Sequence, residues 1–180
     1  LYTTPDPANP IPMPWETNLA IHEQRHVAQM QTGLTGPLRP LGWFFGQMLN
    51  GAACAAYGGQ MWMEGDAVIA ETALSNSGRG RMASFLDYYM YSFDNGDWRN
   101  WYSWSNGSQR YYTPNHYALG YMLLAGLRYN YDDPLISARR FTSFSKNPFR
   151  WGYARDIRSL TGKRMDPSFK ESANAFYSIW

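Results

Sequence analysis

The 180-residue sequence lacks several features that identify common classes of small protein. Its one cysteine, Cys54, excludes a disulfide within the chain. Its apolar runs, such as residues 121–127, are far shorter than the roughly 20 residues that a membrane-spanning helix needs. Its 16 basic residues nearly balance its 14 acidic residues, which argues against a general nucleic-acid-binding protein. We therefore expect a globular domain without a membrane span and without a nucleic-acid partner.

The chain is rich instead in aromatic residues, which make up 17% of the sequence, and in prolines at its beginning. Residues 1–14 contain five prolines, which exclude a helix or a central strand and predict an extended lead-in. Residues 94–113 combine two Asn-Gly turn signals with alternating aromatic residues and predict an aromatic-rich loop or short hairpin. Their aromatic side chains could form a stacking platform or fill the core. These side chains are Trp98, Trp101, Trp104, Tyr111 and Tyr112.

Apolar spacing and turn signals predict that residues 1–180 form a single, mainly helical domain. No segment shows a convincing strand pattern. The predicted helices cover residues 16–31, 41–57, 61–74, 82–93, 114–131, 135–145 and 167–179.

Residues 22–26 read His-Glu-Gln-Arg-His, an H-E-x-x-H motif within the first predicted helix. At 100° per residue, His26 lies about 40° and Glu23 about 100° from His22, so the three side chains point to one side. Two imidazoles one turn apart can bind one Zn²⁺, and a neighbouring carboxylate can take a proton from water at the open coordination position. The motif therefore predicts a zinc site at His22 and His26, with Glu23 as general base.

A catalytic zinc of this kind needs a third protein ligand, and the third predicted helix offers two candidates. Glu64 and Glu71 are seven residues apart, which places them on nearly the same face but about 10.5 Å apart along the axis. Only one of them can therefore reach the metal, and the spacing does not choose between them. Either could instead be a solvated surface acid.

Residues 62–67 read Trp-Met-Glu-Gly-Asp-Ala. Together with the H-E-x-x-H motif they resemble the gluzincin metallopeptidases, whose second motif is approximately W-x-x-E-G-x-A, with one residue more between Trp and Glu. The resemblance covers about residues 15–75. It implies that Glu64 is the third zinc ligand and that Glu71 or Asp66 is a partner of a ligand imidazole.

The resemblance also implies the helical part of a zincin-like metallopeptidase domain, in which a sheet precedes the motif helix. Because only a proline-rich segment precedes that helix here, we expect the sheet to belong to an upstream segment of the same protein that is missing from this chain.

Gluzincins often stabilise the oxyanion with a His or Tyr from a later helix, and the resemblance points to His116, Tyr117 and Tyr121. A hydrogen-bonded His116 without a catalytic role is the alternative. Arg79 and Arg81 follow the second motif and could clamp a substrate carboxylate, or could simply solvate a helix end.

These features predict zinc-dependent hydrolysis of a peptide bond in a peptide or protein substrate. The alternative is a non-enzymatic module, such as a degenerate peptidase, that binds a glycan or a peptide through the aromatic loop. Family habit and the low lysine content lead us to expect a secreted or cell-envelope protein.

Overall fold

The computed structural model describes residues 11–33, 35–146 and 153–180. Within these ranges the chain forms helices and turns and no strand, which confirms the prediction of a mainly helical protein. No helix in the same ranges combines the length and the apolar character that spanning a membrane requires. The α-helices are α1 (Trp15–Gly33), α2 (Arg39–Gly58), α3 (Gln60–Ala73), α4 (Asp87–Asp94), α5 (Trp101–Asn106), α6 (His116–Asn130), α7 (Ile136–Lys146), α8 (Tyr153–Thr161) and α9 (Met165–Tyr177).

Two predicted helices are interrupted in the structure. The sequence predicts one continuous helix over 41–57, but α2 is kinked at Gly46, whose φ of 69° is a conformation that glycine adopts readily. The helix predicted over 82–93 is also wrong in its first half, where Ala83–Phe85 form a 3₁₀ turn before α4 begins at Asp87. The Asp87 carboxylate accepts a hydrogen bond from the Tyr88 backbone N–H at 2.6 Å, which favours a helix start there.

The region 94–113 contains a short helix where the sequence predicts a loop or hairpin. The Asn100 side chain accepts a hydrogen bond from the Ser103 backbone N–H and caps α5. Trp101 and Trp104, three residues apart, turn one face of α5 into the core.

Helix α8 is a second element absent from the prediction. Of the predicted lead-in, residues 1–10 lie outside the described ranges, and residues 11–14 are not helical.

Helix α3 lies between α1 and α6 at the centre of the protein. It meets α6 at a pair of glycines: a Cβ added to Gly65 would lie 2.2 Å from the carbonyl carbon of Gly120. This backbone-to-backbone approach holds α3 in place. The largest buried core side chains on these two helices and on α9 are Trp62, Leu119, Met122, Leu123, Leu124, Leu127 and Phe169.

A buried arginine ties the C-terminal helices to α3. The Arg140 side chain on α7 is fully buried, its guanidinium lies 4.3 Å from the centroid of the Trp62 ring, and its Nε lies 3.4 Å from Oδ2 of Asp156 on α8. The aromatic face and the carboxylate together compensate the buried charge.

Candidate metal centre

Three predicted metal ligands lie together where α1 meets α3. The Nε2 atoms of His22 and His26 are 3.2 Å apart, and Oε2 of Glu64 lies 2.9 Å from the first and 3.3 Å from the second. The two histidines are one turn apart on α1, and their rings meet edge to face at a centroid distance of 4.8 Å. This group of two imidazoles and one carboxylate could hold a metal ion.

The other ring nitrogen of each histidine has an oxygen partner. Nδ1 of His22 lies 2.6 Å from Oε1 of Glu71, whose side chain is fully buried. Nδ1 of His26 lies 2.8 Å from Oε1 of Gln29. Carboxylate and amide oxygens only accept hydrogen bonds, so Nδ1 of His26 must donate. Nδ1 of His22 also lies 3.1 Å from Nη2 of Arg79, but that guanidinium already donates twice to Glu71, and the shorter contact to Glu71 assigns the Nδ1 hydrogen to the carboxylate oxygen. In the neutral imidazoles the lone pairs are then on the two Nε2 atoms, which is the tautomer that binds a metal.

The orientation of the Gln29 amide is itself fixed. Its Nε2 donates to the Met63 carbonyl and to Oδ2 of Asp66, each at 2.9 Å, so its oxygen must face His26. Asp66 is nearly fully buried and also accepts two hydrogen bonds from Arg25, at 2.7 and 3.1 Å. The arginine neutralises the Asp66 carboxylate, which can then hold the amide without an uncompensated buried charge.

Arg79 neutralises a second buried carboxylate of the centre, that of Glu71. Its Nε donates to Oε2 of Glu71 at 3.0 Å, and its Nη2 donates to Oε1 of the same carboxylate. The guanidinium also lies 4.6 Å from the centroid of the Tyr117 ring. Arg79 therefore supports the partner of His22 and packs on a tyrosine beside the centre, whereas the sequence suggests it as a clamp for substrate.

The electrostatics of the metal-free centre follow from these contacts. Burial alone would lower the pKa of His22, but its hydrogen bonds to Glu64 and Glu71 raise that pKa to about 9. The pKa of His26 is raised in the same way, against burial, by its hydrogen bonds to Glu64 and Gln29. Burial would raise the pKa values of Glu64 and Glu71. Hydrogen bonds from His22 and His26 instead hold the pKa of Glu64 below its usual range, and hydrogen bonds from His22 and Arg79 do the same for Glu71.

Tyr117 and Glu23 border the centre. The Tyr117 ring lies 5.9 Å from the His22 ring. Burial raises the Tyr117 pKa, and the negative charges of Glu64 and Glu23 raise it further, which places both carboxylates near the phenol. The Glu23 side chain is exposed. His116 stacks on Tyr117 at a ring distance of 4.6 Å.

Tyr121 and Arg81 contact neighbouring backbone rather than the ligands. The Tyr121 hydroxyl donates to the Gly80 carbonyl at 3.3 Å, and burial raises its pKa. Arg81 is exposed and donates to the Thr72 carbonyl at 2.9 Å near the end of α3. Both residues hold the turn that carries Arg79, and their predicted roles in oxyanion stabilisation and substrate binding stay predictions.

Sequence reasoning missed Gln29 and Arg25. Gln29 stands three residues after His26, a spacing that places the two side chains together on a helix surface. That spacing was a usable signal, but a glutamine near a histidine is too common to be distinctive. Arg25 lies inside the motif, and only the packing of α1 on α3 brings it to Asp66.

The aromatic residues of the 94–113 region divide between core and surface. The side chains of Trp101 and Trp104 are buried, and Trp98 stacks on Phe93 at a ring distance of 4.1 Å. Tyr111 and Tyr112 are exposed. The tryptophans therefore fill the core, and they do not form a stacking platform on the surface.

The sequence matches no protein-family model, and comparisons with curated proteins and with solved structures also give no match. The function must therefore be argued from the chemistry of the site.

Proposed function

We propose that the protein is a zinc-dependent peptidase of the gluzincin type. One observation carries the proposal: two Nε2 atoms and one carboxylate oxygen converge, while both Nδ1 atoms are committed to other oxygens. In the metal-free centre the raised pKa of His22 keeps a proton between its Nε2 and Glu64, and a cation bound at this point would replace that proton. Support comes from the site and not from the fold, since the described residues contain no strand.

The size and composition of the ligand group favour zinc. Tetrahedral ligands at about 2.0–2.1 Å from Zn²⁺ are about 3.3–3.4 Å from one another. The three distances between ligand atoms here, 2.9, 3.2 and 3.3 Å, are close to that value. Two histidines and one glutamate are also the ligand set of several hydrolytic zinc sites, which leave one position open. A closed structural site would need a fourth protein ligand.

The surrounding residues fit the proposed chemistry. Zinc in such a site lowers the pKa of a bound water to about 7 and polarises a carbonyl group. Glu23 follows a ligand histidine and is exposed, so its carboxylate can accept a proton from water and return it to the leaving amine. In this proposal the Tyr117 hydroxyl donates a hydrogen bond to the carbonyl oxygen of the substrate as negative charge develops there, and its support is that the Tyr117 ring lies 5.9 Å from the His22 ring.

The test combines metal analysis with peptide cleavage. The purified protein should bind one zinc ion per chain and should cleave peptides in a casein-derived mixture, with the new termini identified by mass spectrometry. Glu23→Gln should keep the zinc and lose at least about 100-fold in cleavage rate, because only the base is removed. Glu16→Gln, an exposed change on the same helix, should keep the full rate.

Two outcomes would contradict the proposal. Equal cleavage by the Glu23→Gln variant and the parent protein would exclude Glu23 as the base. A protein that binds zinc and cleaves no peptide in the mixture would be a binding module, as the alternative interpretation of the sequence has it.

A further inference from the structure

Three arginines line one pocket of about 300 Å³, which is formed by α8, the beginning of α9 and Tyr102 of α5. Arg155 and Arg158 are three residues apart on α8, which places their side chains on one face of that helix. Arg164 is the N-cap residue of α9 and forms no side-chain cap, so the positive end of the helix dipole adds to the three charges. This arginine pocket shares no residue with the metal centre.

The charges of the arginine pocket are not compensated by nearby carboxylates. The three acidic side chains in the described range 153–180 are each paired with a different cation. These pairs are Asp156 with Arg140, Asp166 with Lys170 and Glu171 with Lys163, at distances of 3.4, 3.1 and 2.8 Å. Within the described part of the chain, no arginine of the pocket forms an ion pair. Like charges that converge in this way repel one another, and an anion placed between them is attracted to all three.

A larger cavity adjoins the arginine pocket and differs from it in charge. Its volume is about 580 Å³, and Tyr102, Ala154 and Met165 line both spaces. Among the described residues that line the larger cavity there is no Asp, Glu, Lys or Arg. Tyr102, at the boundary, is 54% exposed, so a ligand can contact it. Both volumes are within the range of small-molecule sites, and together they give one site a cationic end and an uncharged end.

We propose that the arginine pocket binds the phosphate group of a small phosphate monoester and that the larger cavity receives the uncharged part of the same ligand. A phosphate monoester carries a charge of about −1.5 to −2 at pH 7 and has three terminal oxygens that accept hydrogen bonds. Arginine binds such a group through two parallel hydrogen bonds. A carboxylate has a single charge and two oxygens, so three guanidiniums match it less well. A polyanion such as nucleic acid would need further cations along its path, and the described wall of the larger cavity has none.

Titration calorimetry of the full chain in Tris chloride buffer at pH 7.5 tests the proposal. The probes are phenyl phosphate, glycerol 1-phosphate and inorganic phosphate, with benzoate as a singly charged comparator and benzyl alcohol as a neutral one. At least one of the two monoesters should bind with a Kd of about 1 mM or lower, and at least about threefold more tightly than inorganic phosphate. Benzoate should bind at least about threefold more weakly than that monoester, and benzyl alcohol at least about tenfold more weakly.

Variants of exposed residues locate the binding. Arg158→Gln removes one guanidinium and should weaken binding of the monoester by roughly 3- to 10-fold, and Arg155→Gln should act similarly. Arg110→Gln is the matched control, because it removes the same charge from an exposed arginine that lines neither space, and it should leave the affinity unchanged. Tyr102→Ala should weaken the binding of phenyl phosphate and leave that of inorganic phosphate unchanged.

The proposal is overturned if neither monoester reaches a Kd of about 1 mM, if benzoate binds as tightly as the better monoester, or if Arg158→Gln has no more effect than Arg110→Gln. Removal of metal by dialysis should leave the Kd unchanged. Binding that disappears with the metal would place the phosphate at the metal centre and would also overturn the proposal. Because the two sites share no residue, failure here leaves the peptidase proposal intact, and a protein that cleaves no peptide can still bind the monoester.

Discussion

Replacing Gly65 by alanine tests whether the packing of α3 on α6 controls the metal centre. A Cβ at this position would lie 2.2 Å from the carbonyl carbon and 2.6 Å from the carbonyl oxygen of Gly120. It would also lie 2.6 Å from the backbone nitrogen of Tyr121. All three atoms belong to the α6 backbone, so no side-chain rotation can relieve the overlap. The helices must separate, and Glu64, the adjacent residue, must move with α3.

The size of the effect follows from these distances. Ordinary contact begins at 3.4 Å, so α3 must shift by about 1.2 Å to accommodate the methyl group. Overpacking of this kind typically costs 1–3 kcal/mol, and we expect about 3 kcal/mol because the obstacle is backbone. For a domain of this length that corresponds to a fall in Tm of roughly 6–12 °C. The shift is also a large fraction of the 2.9 Å that separates the Glu64 and His22 ligand atoms, so zinc affinity should fall as well.

Calorimetry and zinc titration against a competing chelator measure both effects. Gly51→Ala is the matched control, because a Cβ there would meet only the mobile sulfur of Met30, at 3.7 Å. It should leave zinc affinity unchanged and could raise stability by about 0.5–1 kcal/mol, since alanine favours a helix. If Gly65→Ala has the Tm and the zinc affinity of the parent protein, the close approach of α3 and α6 is not what positions Glu64.

Two further predictions concern the ligands and their partners. Zinc at about 100 times its Kd should stabilise the fold by about 2.7 kcal/mol and raise the Tm by roughly 5–11 °C in a thermal melt, while Glu64→Gln, which removes an anionic ligand, should lose most of this shift. An equal shift in the variant would show that zinc binds elsewhere. Glu71→Gln removes the carboxylate that orients His22 and pairs with Arg79, so zinc affinity in a chelator competition should fall about 10- to 100-fold. As a control, Glu171→Gln breaks an ion pair with Lys163 and should not change the zinc affinity. An unaltered zinc affinity in Glu71→Gln would show that His22 does not need its Nδ1 partner to bind the metal.

The sequence was sufficient to predict the helical class and to name three side chains, His22, His26 and Glu64, that the structure brings together in a group that could hold a metal ion. The residue spacing in α1 and α3 is a local property, and 3.6 residues per turn convert it directly into a shared face. The spacing could not decide which of the two glutamates of α3, Glu64 or Glu71, joins the two histidines. In the structure they contact opposite nitrogens of one ring: Glu64 lies at Nε2 of His22 and Glu71 at Nδ1. Two carboxylates two turns apart can do this because the imidazole lies between them.

The unpredicted features depend on long-range packing. The formation of helix α5 depends on the Asn100 cap and on a core that accommodates Trp101 and Trp104. Neither feature can be recognised from the alternating aromatic residues in the sequence. A cavity of about 580 Å³ beside α5 is likewise assembled from five separate segments of the chain, around residues 59–61, 101–107, 113–116, 154 and 165.

Three consecutive residues of α3 show how the helix serves both of its neighbours. With Glu64 taken as zero at 100° per residue, Gly65 lies at about 100° and Asp66 at about 200°. Glu64 and Asp66 both contact α1, so α1 must lie on the side midway between them, at about 280°, where Ala67 is fully buried. The two acids therefore flank α1: one completes the ligand group, and the other fixes the amide that orients the second imidazole. Gly65 then points directly away from α1, toward α6, where the backbone of Gly120 leaves no room for a Cβ. A large residue at position 65 would thus disturb both acids together, because it would push α3 off the backbone of α6 and so shift the whole helix relative to α1.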